Sequence, residues 1–345
     1  MNKPFFSVVI PCYNSSLTIE RVLDSLVNQN FDPMEVIIAD DRSTDDTLEK
    51  ARRYASRLHM VFVSVPEQTA HSPGNTKQVG YEAATGRWIT FIDHDDYFLA
   101  GSFRKVYDYI EQFKPEVYVA TTFSERDKNG KILKQYTLID HPDDFMHGKW
   151  YNLDYCRERD IRFPVDLTSE DSYWNILISS WWVHEKKKKH FFSYLPFDTY
   201  VWVAEENSYS RKQLQDNPHD YIEKHLRDLI QVKEVYIDFY NKWPEDHVFF
   251  YDLILGTIIN NYYFFQTAIY LQGTDFLKEN FHYFKEDLEK IVVTLDVTIQ
   301  EIINVFYNPI NACQVNLFRQ NIIGNLYHNS IIELFSFQEF MEFFQ

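Results

Sequence analysis

A short apolar run that ends in acidic residues constrains the fold of this chain more than any other feature. Residues 88–92 are apolar or β-branched, and Asp93, Asp95 and Asp96 follow them closely. Such a run is typical of a strand that is buried on both faces of a parallel sheet. Because ligands bind outside the carboxyl ends of the strands in an open α/β sheet, the three carboxylates are predicted to lie at a ligand site.

These carboxylates also predict a metal site. Carboxylates packed this closely repel one another unless a cation or a donor-rich ligand satisfies them. Hard divalent ions such as Mg²⁺ and Mn²⁺ choose oxygen ligands, often one or two carboxylates together with substrate phosphates. The alternative is an acidic turn without a ligand, on a chain that holds 51 Asp and Glu residues.

The first 125 residues alternate between strand patterns and helix patterns. This alternation predicts a βαβ sheet with right-handed crossovers, and therefore an α/β fold. Strands are predicted at residues 5–11, 34–39, 60–65, 88–92 and 117–123. Helices are predicted at residues 17–28, 43–57, 77–85 and 101–113.

The pattern changes twice in the rest of the chain. Asn129-Gly130 predicts a β-hairpin, and residues 140–151 are expected to form a loop. Further predicted elements are helices at 155–159 and 169–182 and strands at 191–195 and 199–204. From about Pro218 onward helical periodicity dominates. We therefore predict an α/β catalytic domain at 1–217 and an all-helical domain at 218–345, which could serve as an acceptor platform or for oligomerisation.

Composition excludes some classes of protein. A formal net charge of -17 argues against a nucleic-acid binder, which would carry a basic face. The three cysteines are far apart and form no Cys-x-x-Cys pattern, so a reduced, cytoplasmic compartment is expected. The N-terminus shows no signal-peptide pattern. Residues 248–271 are the most membrane-like stretch, but polar residues interrupt them, which favours a buried helix over a span.

Four motifs in this order resemble family 2 glycosyltransferases of the GT-A fold, over roughly the first two hundred residues. Each motif is weak alone, and their combination at predicted strand ends carries the resemblance. The motifs are Pro11-Cys12-Tyr13-Asn14, Ala39-Asp40-Asp41-Arg42-Ser43-Thr44-Asp45, the stretch from Gly80 to Asp96, and Ser169-Glu170-Asp171. The resemblance implies a Rossmann-like domain with a mixed, mainly parallel sheet.

The resemblance also implies roles for residues at the donor. Tyr13 matches the aromatic that packs on the nucleobase, commonly uracil, and Pro11 and Asn14 lie in the same turn. Asp40 or Asp41 matches the carboxylate that accepts a hydrogen bond from the base.

The same resemblance assigns the reacting end of the site. Asp93 and Asp95 match the pair that binds ribose and the divalent metal, Mn²⁺ or Mg²⁺, on the diphosphate. Asp171, preceded by Glu170, matches the general base of an inverting single displacement. In that reaction the base takes a proton from the acceptor hydroxyl, which attacks the anomeric carbon while the nucleoside diphosphate leaves.

Three positions depart from the family pattern or leave it open. Lys77 stands where the family usually has arginine, and it is a candidate for the diphosphate as a point charge. His94 fills the variable place between Asp93 and Asp95 and is predicted to point away from both. Arg211 follows a polar segment that can close over the diphosphate, or that can be an ordinary helix-capping loop.

Aromatic and basic clusters allow two interpretations each. Trp150 could stack on a sugar ring or belong to the core, whereas Trp181 and Trp182 are predicted core residues. The basic run 186–189 is interpreted as a solvated turn rather than as a contact with an anionic acceptor or a membrane.

We therefore predict a metal-dependent hexosyltransferase that uses a UDP-sugar as donor. The acceptor is expected to be a cell-surface polymer, a glycan or a protein. Peripheral contact with the inner membrane face and homo-oligomerisation through the C-terminal helices are further expectations. A catalytically silent sugar-nucleotide or glycan binder is the alternative, and a sugar-nucleotide pyrophosphorylase ranks below it because no Gly-rich loop follows the first strand.

Overall fold

Four parallel strands form the half of the sheet that holds the first three of the four sequence motifs. They are β1 (Phe6–Cys12), β2 (Met34–Asp40), β3 (His59–Ser64) and β4 (Trp88–Phe91), in the spatial order β3-β2-β1-β4. Every residue of β1, β2 and β4 is buried, as expected for strands covered on both faces. Cys12 at the end of β1 pairs with Asp40 at the end of β2. The residues that follow these strands therefore lie at one edge of the sheet.

This computed structural model describes only part of the chain. The described residues are 3–137, 145–164, 169–186, 193–204, 231, 233–251, 253–257, 285–286 and 288–306.

Helices connect the parallel strands as predicted. They are α1 (Ile19–Val27), α2 (Thr47–Arg52), which continues as a 3₁₀ turn at Arg53–Ser56, α3 (Pro73–Ala83) and α4 (Ser102–Phe113). Helix α3 starts four residues before the predicted position. Ser72 caps it by accepting a hydrogen bond from the Asn75 amide at 3.1 Å, and Pro73 occupies the first turn. Lys77 therefore lies within the helix instead of at its start.

Two glycines let neighbouring elements approach each other closely. A Cβ atom on Gly80 would lie 2.3 Å from Val9 Cγ1, so α3 packs directly on β1. A Cβ atom on Gly86 would lie 2.7 Å from Ser7 Oγ. The buried Glu35 carboxylate ties this second region together, because it accepts hydrogen bonds from the Ser7 hydroxyl at 2.6 Å and from the Thr85 amide at 2.6 Å. These hydrogen bonds hold in place the turn that leads into β4.

The second half of the sheet is mixed. Its strands are β5 (Tyr97–Phe98), β6 (Tyr118–Arg126), β7 (Ile132–Tyr136), β8 (Lys149–Asn152) and β9 (Tyr194–Val203). The order continues from β4 as β8-β6-β9-β5, and β7 forms the predicted hairpin with β6. Strand β8 is antiparallel to both of its neighbours, whereas β6 and β9 are parallel. The predicted α/β fold with a mixed sheet is confirmed.

Three local predictions were wrong. Strand β8 lies in the segment that was predicted to be a loop, β5 was not predicted, and β9 is one strand where two were expected. Strands β5 and β8 have two and four residues, too few to give a periodic signal. They form because neighbouring strands supply their hydrogen bonds. Trp150 on β8 is fully buried against Phe98 and Phe103, so it is a core residue and cannot stack on a sugar.

Two helices complete the first part of the chain. They are α5 (Leu153–Glu158) and α6 (Glu170–Lys186). Helix α6 begins at the predicted place and extends four residues further than predicted. Its first turn holds Glu170 and Asp171.

The contacts divide the chain into two compact units. One comprises Met1–Trp181 and His190–Ser208, and the other Trp182–Lys189 and Tyr209–Gln345. In the second unit, residues 233–242, 247–251, 253–257 and 288–295 are helical, as are a 3₁₀ turn at Pro244–Asp246 and α7 (Ile299–Phe306). The boundary predicted at residue 217 lies outside the described residues. Among the residues described, no helix combines the length and the apolar character that crossing a membrane requires.

Candidate active site

The turn after β1 presents Tyr13 to solvent. Its side chain is 53% exposed, although Pro11, two residues earlier, is buried in β1. Asn14 adopts a left-handed conformation with φ of 48°, which asparagine tolerates better than most residues. Its side-chain oxygen accepts a hydrogen bond from the Thr44 amide at 2.8 Å, and its own amide donates to the Ser43 hydroxyl at 2.9 Å. The turns after β1 and β2 are therefore tied together, and the Tyr13 ring remains open.

The two carboxylates at the end of β2 differ in their remaining hydrogen-bonding capacity. Asp40 is buried, its Oδ2 accepts from the Ser43 amide at 3.1 Å, and its Oδ1 has no hydrogen-bond partner in the described part of the chain. Asp41 is engaged on both oxygens, by Arg42 at 2.8 Å and by His71 at 3.0 Å. Of the two candidates, Asp40 therefore has the acceptor atom still available for a nucleobase.

The acidic loop after β4 separates a buried carboxylate from an accessible one. Asp96 is 1% exposed, and it accepts hydrogen bonds from the Tyr200 hydroxyl and, at 2.9 Å, from the Val203 amide. Burial, together with the charges of Asp95 and Asp93, raises the pKa of Asp96 well above its usual range. The Asp93 side chain is 43% exposed. Asp96 is therefore a structural group, and Asp93 is the one that a ligand can reach.

The other two residues of this loop contact α1 and the residue before it. His94 Nδ1 lies 2.8 Å from the hydroxyl of Thr18, and the Asp95 carbonyl accepts a hydrogen bond from the Arg21 guanidinium. Burial and the charge of Asp93 raise the pKa of Asp95, whereas His94 opposes this shift. These contacts hold the loop against the sheet.

His147 is a site residue that the sequence did not indicate. Its Nε2 lies 3.6 Å from Asp93 Oδ2 and 4.0 Å from Asp96 Oδ2. The ring packs against Phe145 and Trp202, and its buried Nδ1 has no hydrogen-bond partner among the described residues. His147 lies in the segment predicted to be a loop, where a single histidine gives no spacing signal. Only its residue type, a common metal ligand, could have drawn attention to it.

The donor atoms at Asp93 and His147 fit a divalent cation. One ligand atom each from Asp93, Asp96 and His147 lies within 4.8 Å of the others. Because Asp96 is 1% exposed and its oxygens already accept hydrogen bonds, Asp93 and His147 are the more accessible members of this group for a metal. Burial would raise the pKa of Asp93, but the contact with His147 and the charge of Lys77 hold it well below its usual range. Asp93 is therefore ionised at neutral pH, and Asp95, the other predicted ligand, lies outside this group.

The first turn of α6 brings two carboxylates to the buried Lys77. Lys77 Nζ donates to Glu170 Oε1 at 2.8 Å and to Asp171 Oδ1 at 2.5 Å. Asp171 is the more exposed of the two carboxylates, and its second oxygen accepts from the Met146 amide at 3.3 Å. Burial raises the pKa of Glu170 to about 7, against the lowering effect of Lys77. The geometry thus favours Asp171 over Glu170 as the carboxylate that meets a substrate.

The structure gathers most of the predicted residues at one end of the sheet. Tyr13 and Asp93 follow β1 and β4, Asp40 ends the adjacent parallel strand β2, and the charge of Lys77 acts on Asp93. Arg211 lies outside the described residues.

Comparison with known proteins gives a family match. Residues 7–172 match the model of glycosyl transferase family 2. Poly(ribitol-phosphate) β-N-acetylglucosaminyltransferase TarS of Staphylococcus aureus is 29% identical over 179 residues, which cover 48% of this chain and 30% of the relative. Poly(ribitol-phosphate) β-glucosyltransferase of Bacillus spizizenii is 33% identical over 175 residues, covering 48% of this chain and 28% of the relative. These alignments thus span less than a third of the relatives' length.

Solved structures show the same fold. The crystal structure of S. aureus TarS 1–349 in complex with UDP-GlcNAc has a TM-score of 0.59 and 20% identity, and the match covers 95% of this chain and 94% of that one. A mannosyltransferase from Pyrobaculum calidifontis in complex with GDP-Man and Mn²⁺ has a TM-score of 0.50 and 17% identity, over 96% of this chain and 89% of that one.

Proposed function

Residues 7–172 belong to glycosyl transferase family 2, and from this premise we propose that the chain is an inverting glycosyltransferase. It transfers a sugar from a nucleotide-diphosphate sugar to a hydroxyl group of an acceptor. The observation that carries this proposal is the convergence, at one edge of the sheet, of an open aromatic, an unsatisfied buried carboxylate oxygen and an ionised accessible carboxylate, namely Tyr13, Asp40 and Asp93.

Uridine is the nucleoside that we propose for this site. The Tyr13 ring offers a stacking surface, and Asp40 Oδ1 is an acceptor without a donor. Uracil presents one ring N–H donor on its pairing edge, and a carboxylate oxygen can accept it. The UDP-GlcNAc in the TarS structure supports the same assignment.

A divalent cation completes the donor site. Asp93 and His147 would hold it, and when bound it would offset the negative charge of the leaving diphosphate. One carboxylate and one imidazole suit Mn²⁺, which accepts both oxygen and nitrogen ligands. The Mn²⁺ in the Pyrobaculum mannosyltransferase structure is consistent with this choice.

Asp171 acts as the general base in this proposal. Its carboxylate accepts the proton of the acceptor hydroxyl while that oxygen forms a bond to the anomeric carbon. The bond between the anomeric carbon and the diphosphate oxygen breaks, and the electron pair leaves with the nucleoside diphosphate. Because attack and departure occur on opposite faces of the sugar, the anomeric configuration is inverted.

The acceptor that we propose is a polyol-phosphate polymer of the cell surface. The names of two relatives specify poly(ribitol-phosphate) as the polymer on which they act. Such a polymer presents free hydroxyl groups, which is what Asp171 requires.

A donor and acceptor panel tests the proposal. Binding of UDP, GDP and CDP is measured by thermal shift with Mn²⁺, and a hundredfold excess over the dissociation constant stabilises the fold by about 2.7 kcal/mol. UDP release is then measured with UDP-glucose, UDP-galactose and UDP-GlcNAc, with and without poly(ribitol phosphate) and with a chelator as control. We expect UDP to bind and polymer-dependent release to require the metal. Tight binding without turnover on a broad acceptor panel would instead indicate a silent binder.

A further inference from the structure

Lys77 is the only described lysine with ion pairs to two carboxylates of the candidate site. It is 4% exposed, and its Nζ contacts Glu170 and Asp171 at 2.8 and 2.5 Å. An ammonium group has three N–H donors, so these carboxylates occupy two of them. The Lys77 ammonium group is therefore paired with two carboxylates on α6.

The local charge does not favour a second anion at Lys77. Burial would lower its pKa, but Asp171 and Glu170 raise it well above the usual value, so the ammonium stays charged. One positive charge faces two carboxylates in contact, and Asp93 adds a third at longer range. To bind a diphosphate, Lys77 would have to leave carboxylates that are largely buried, and a buried charge without its partner is costly.

The packing of α3 fixes Lys77 in this position. Gly80 lets α3 pack directly on β1, because it has no Cβ atom. At its N-terminus, a Cβ atom on Gly74 would lie 2.9 Å from the Pro164 carbonyl oxygen and 3.4 Å from Glu170 Cβ. The helix therefore meets the start of α6 at close range on a rigid support.

We propose that Lys77 is a positioning residue that holds the Asp171 carboxylate toward the acceptor, and that it does not bind the donor diphosphate. This inference rests on the proposed function and changes the role that the sequence suggested for Lys77. A lysine can take this role at a place where the family usually has arginine, since its point charge is shared between two carboxylates.

Nucleotide binding and turnover of Lys77→Met separate the two roles. Methionine keeps most of the volume and removes the charge. We expect the Kd values of UDP and of uridine, measured by calorimetry with Mn²⁺, to change less than about twofold, while kcat falls about a hundredfold, the loss typical of a misplaced reacting group. Lys149→Met is the matched control, because Lys149 is also buried, and its Nζ lies 5.7 Å from the centre of the Tyr118 ring on β6.

Two results would overturn the inference. One is a UDP affinity that falls tenfold or more while uridine affinity is unchanged, which would place Lys77 at the diphosphate. The other is an unchanged kcat. If Lys77→Met does not fold, it is combined with Glu170→Gln, which removes one of the carboxylates left without a cation. The ratio of UDP affinity to uridine affinity in this double variant is then compared with the same ratio in Glu170→Gln alone.

A thermal measurement keeps this inference separate from the proposed function. If the unmodified chain binds no nucleotide, the proposed function fails. The contact between Lys77 and Asp171 is then tested by the loss of melting temperature that Asp171→Asn causes, once in the unmodified chain and once in Lys77→Met. We expect the loss caused by Asp171→Asn to be much smaller when Lys77 is already methionine. Equal losses in both backgrounds would show that Lys77 does not hold Asp171.

Discussion

Carboxylates at the candidate site differ in how far their oxygens are already satisfied. Asp96 and Asp41 have hydrogen-bond or ion-pair partners on both oxygens, whereas Asp40 has one oxygen without a partner and Asp93 is accessible. A carboxylate with an unsatisfied oxygen, or one that is partly exposed, can meet a ligand, whereas a buried carboxylate with partners on both oxygens stabilises the fold instead. These differences assign separate roles to residues that the sequence presents as equivalent.

Removing the Asp40 carboxylate should weaken nucleoside binding. A hydrogen bond to a charged acceptor is worth about 1.5–3 kcal/mol, so Asp40→Ala should weaken uridine binding by roughly 10- to 100-fold. Asp41→Ala is the control and should have a smaller effect, because its oxygens bind Arg42 and His71. Calorimetric titration with uridine measures both, and a larger loss in Asp41→Ala would reverse the assignment.

His147 should contribute to metal affinity. His147→Ala is expected to weaken Mn²⁺ binding at least about tenfold, because it removes a nitrogen that faces Asp93. Electron paramagnetic resonance of free Mn²⁺ gives the dissociation constant without any turnover. His71→Ala serves as the control, because it also removes an imidazole, but one whose ring contacts Tyr13 in the turn after β1. Unaltered Mn²⁺ affinity in His147→Ala would exclude this residue from the metal site.

At the scale of elements, the strand order decides which residues meet. The sequence predicted β1, β2 and β4 and the residues that follow them, because a buried strand followed by polar residues is a local pattern. It could not predict β8, whose four residues are a strand only through pairing with β4 and β6. For the same reason it could not predict His147, which precedes β8 and reaches Asp93 only in the folded sheet.

The close packing of α3 on β1 should appear in the free energy of unfolding. Gly80→Ala places a Cβ atom against Val9, and we expect a destabilisation of about 1–3 kcal/mol. Gly256 lies in a helical segment, and within the described part of the chain an added Cβ would meet no atom within 4 Å outside the backbone of its own helix, so Gly256→Ala should be stabilising by about 0.5–1 kcal/mol. Urea unfolding compares the two, and effects of the same sign would refute the packing argument.

At the scale of the whole molecule, the fold and site of the α/β part are easier to predict from the sequence than the role of the helical part. Strand ends and turns in the first two hundred residues carry specific residue types, which is why the fold class was predictable. Helical periodicity after residue 218 predicts helices but not what they bind, since apolar stripes indicate burial alone. The roles proposed for that part, in acceptor binding or oligomerisation, stay predictions.

Lys233 should make the stability of the chain depend on pH. Burial lowers its pKa to about 7, although the charge of Glu234 raises it. Between pH 7 and about 10.4 the unfolded chain therefore binds more protons at this residue, and stability rises with pH. Lys233→Met should remove this rise, whereas Lys290→Met, at a half-exposed site, should keep it. Melting temperatures at pH 7, 8 and 9 measure the difference, and parallel curves for the unmodified chain and Lys233→Met would contradict it.

The anomeric configuration of the product tests the central claim most directly. Proton NMR follows the reaction of an α-linked UDP-sugar with poly(ribitol phosphate) and Mn²⁺, for the unmodified chain and for Asp171→Asn. A single displacement with Asp171 as base predicts a β-linked product, and a rate lower by about 10²–10⁴-fold in Asp171→Asn. An α-linked product, or an Asp171→Asn variant as fast as the unmodified chain, would contradict this account.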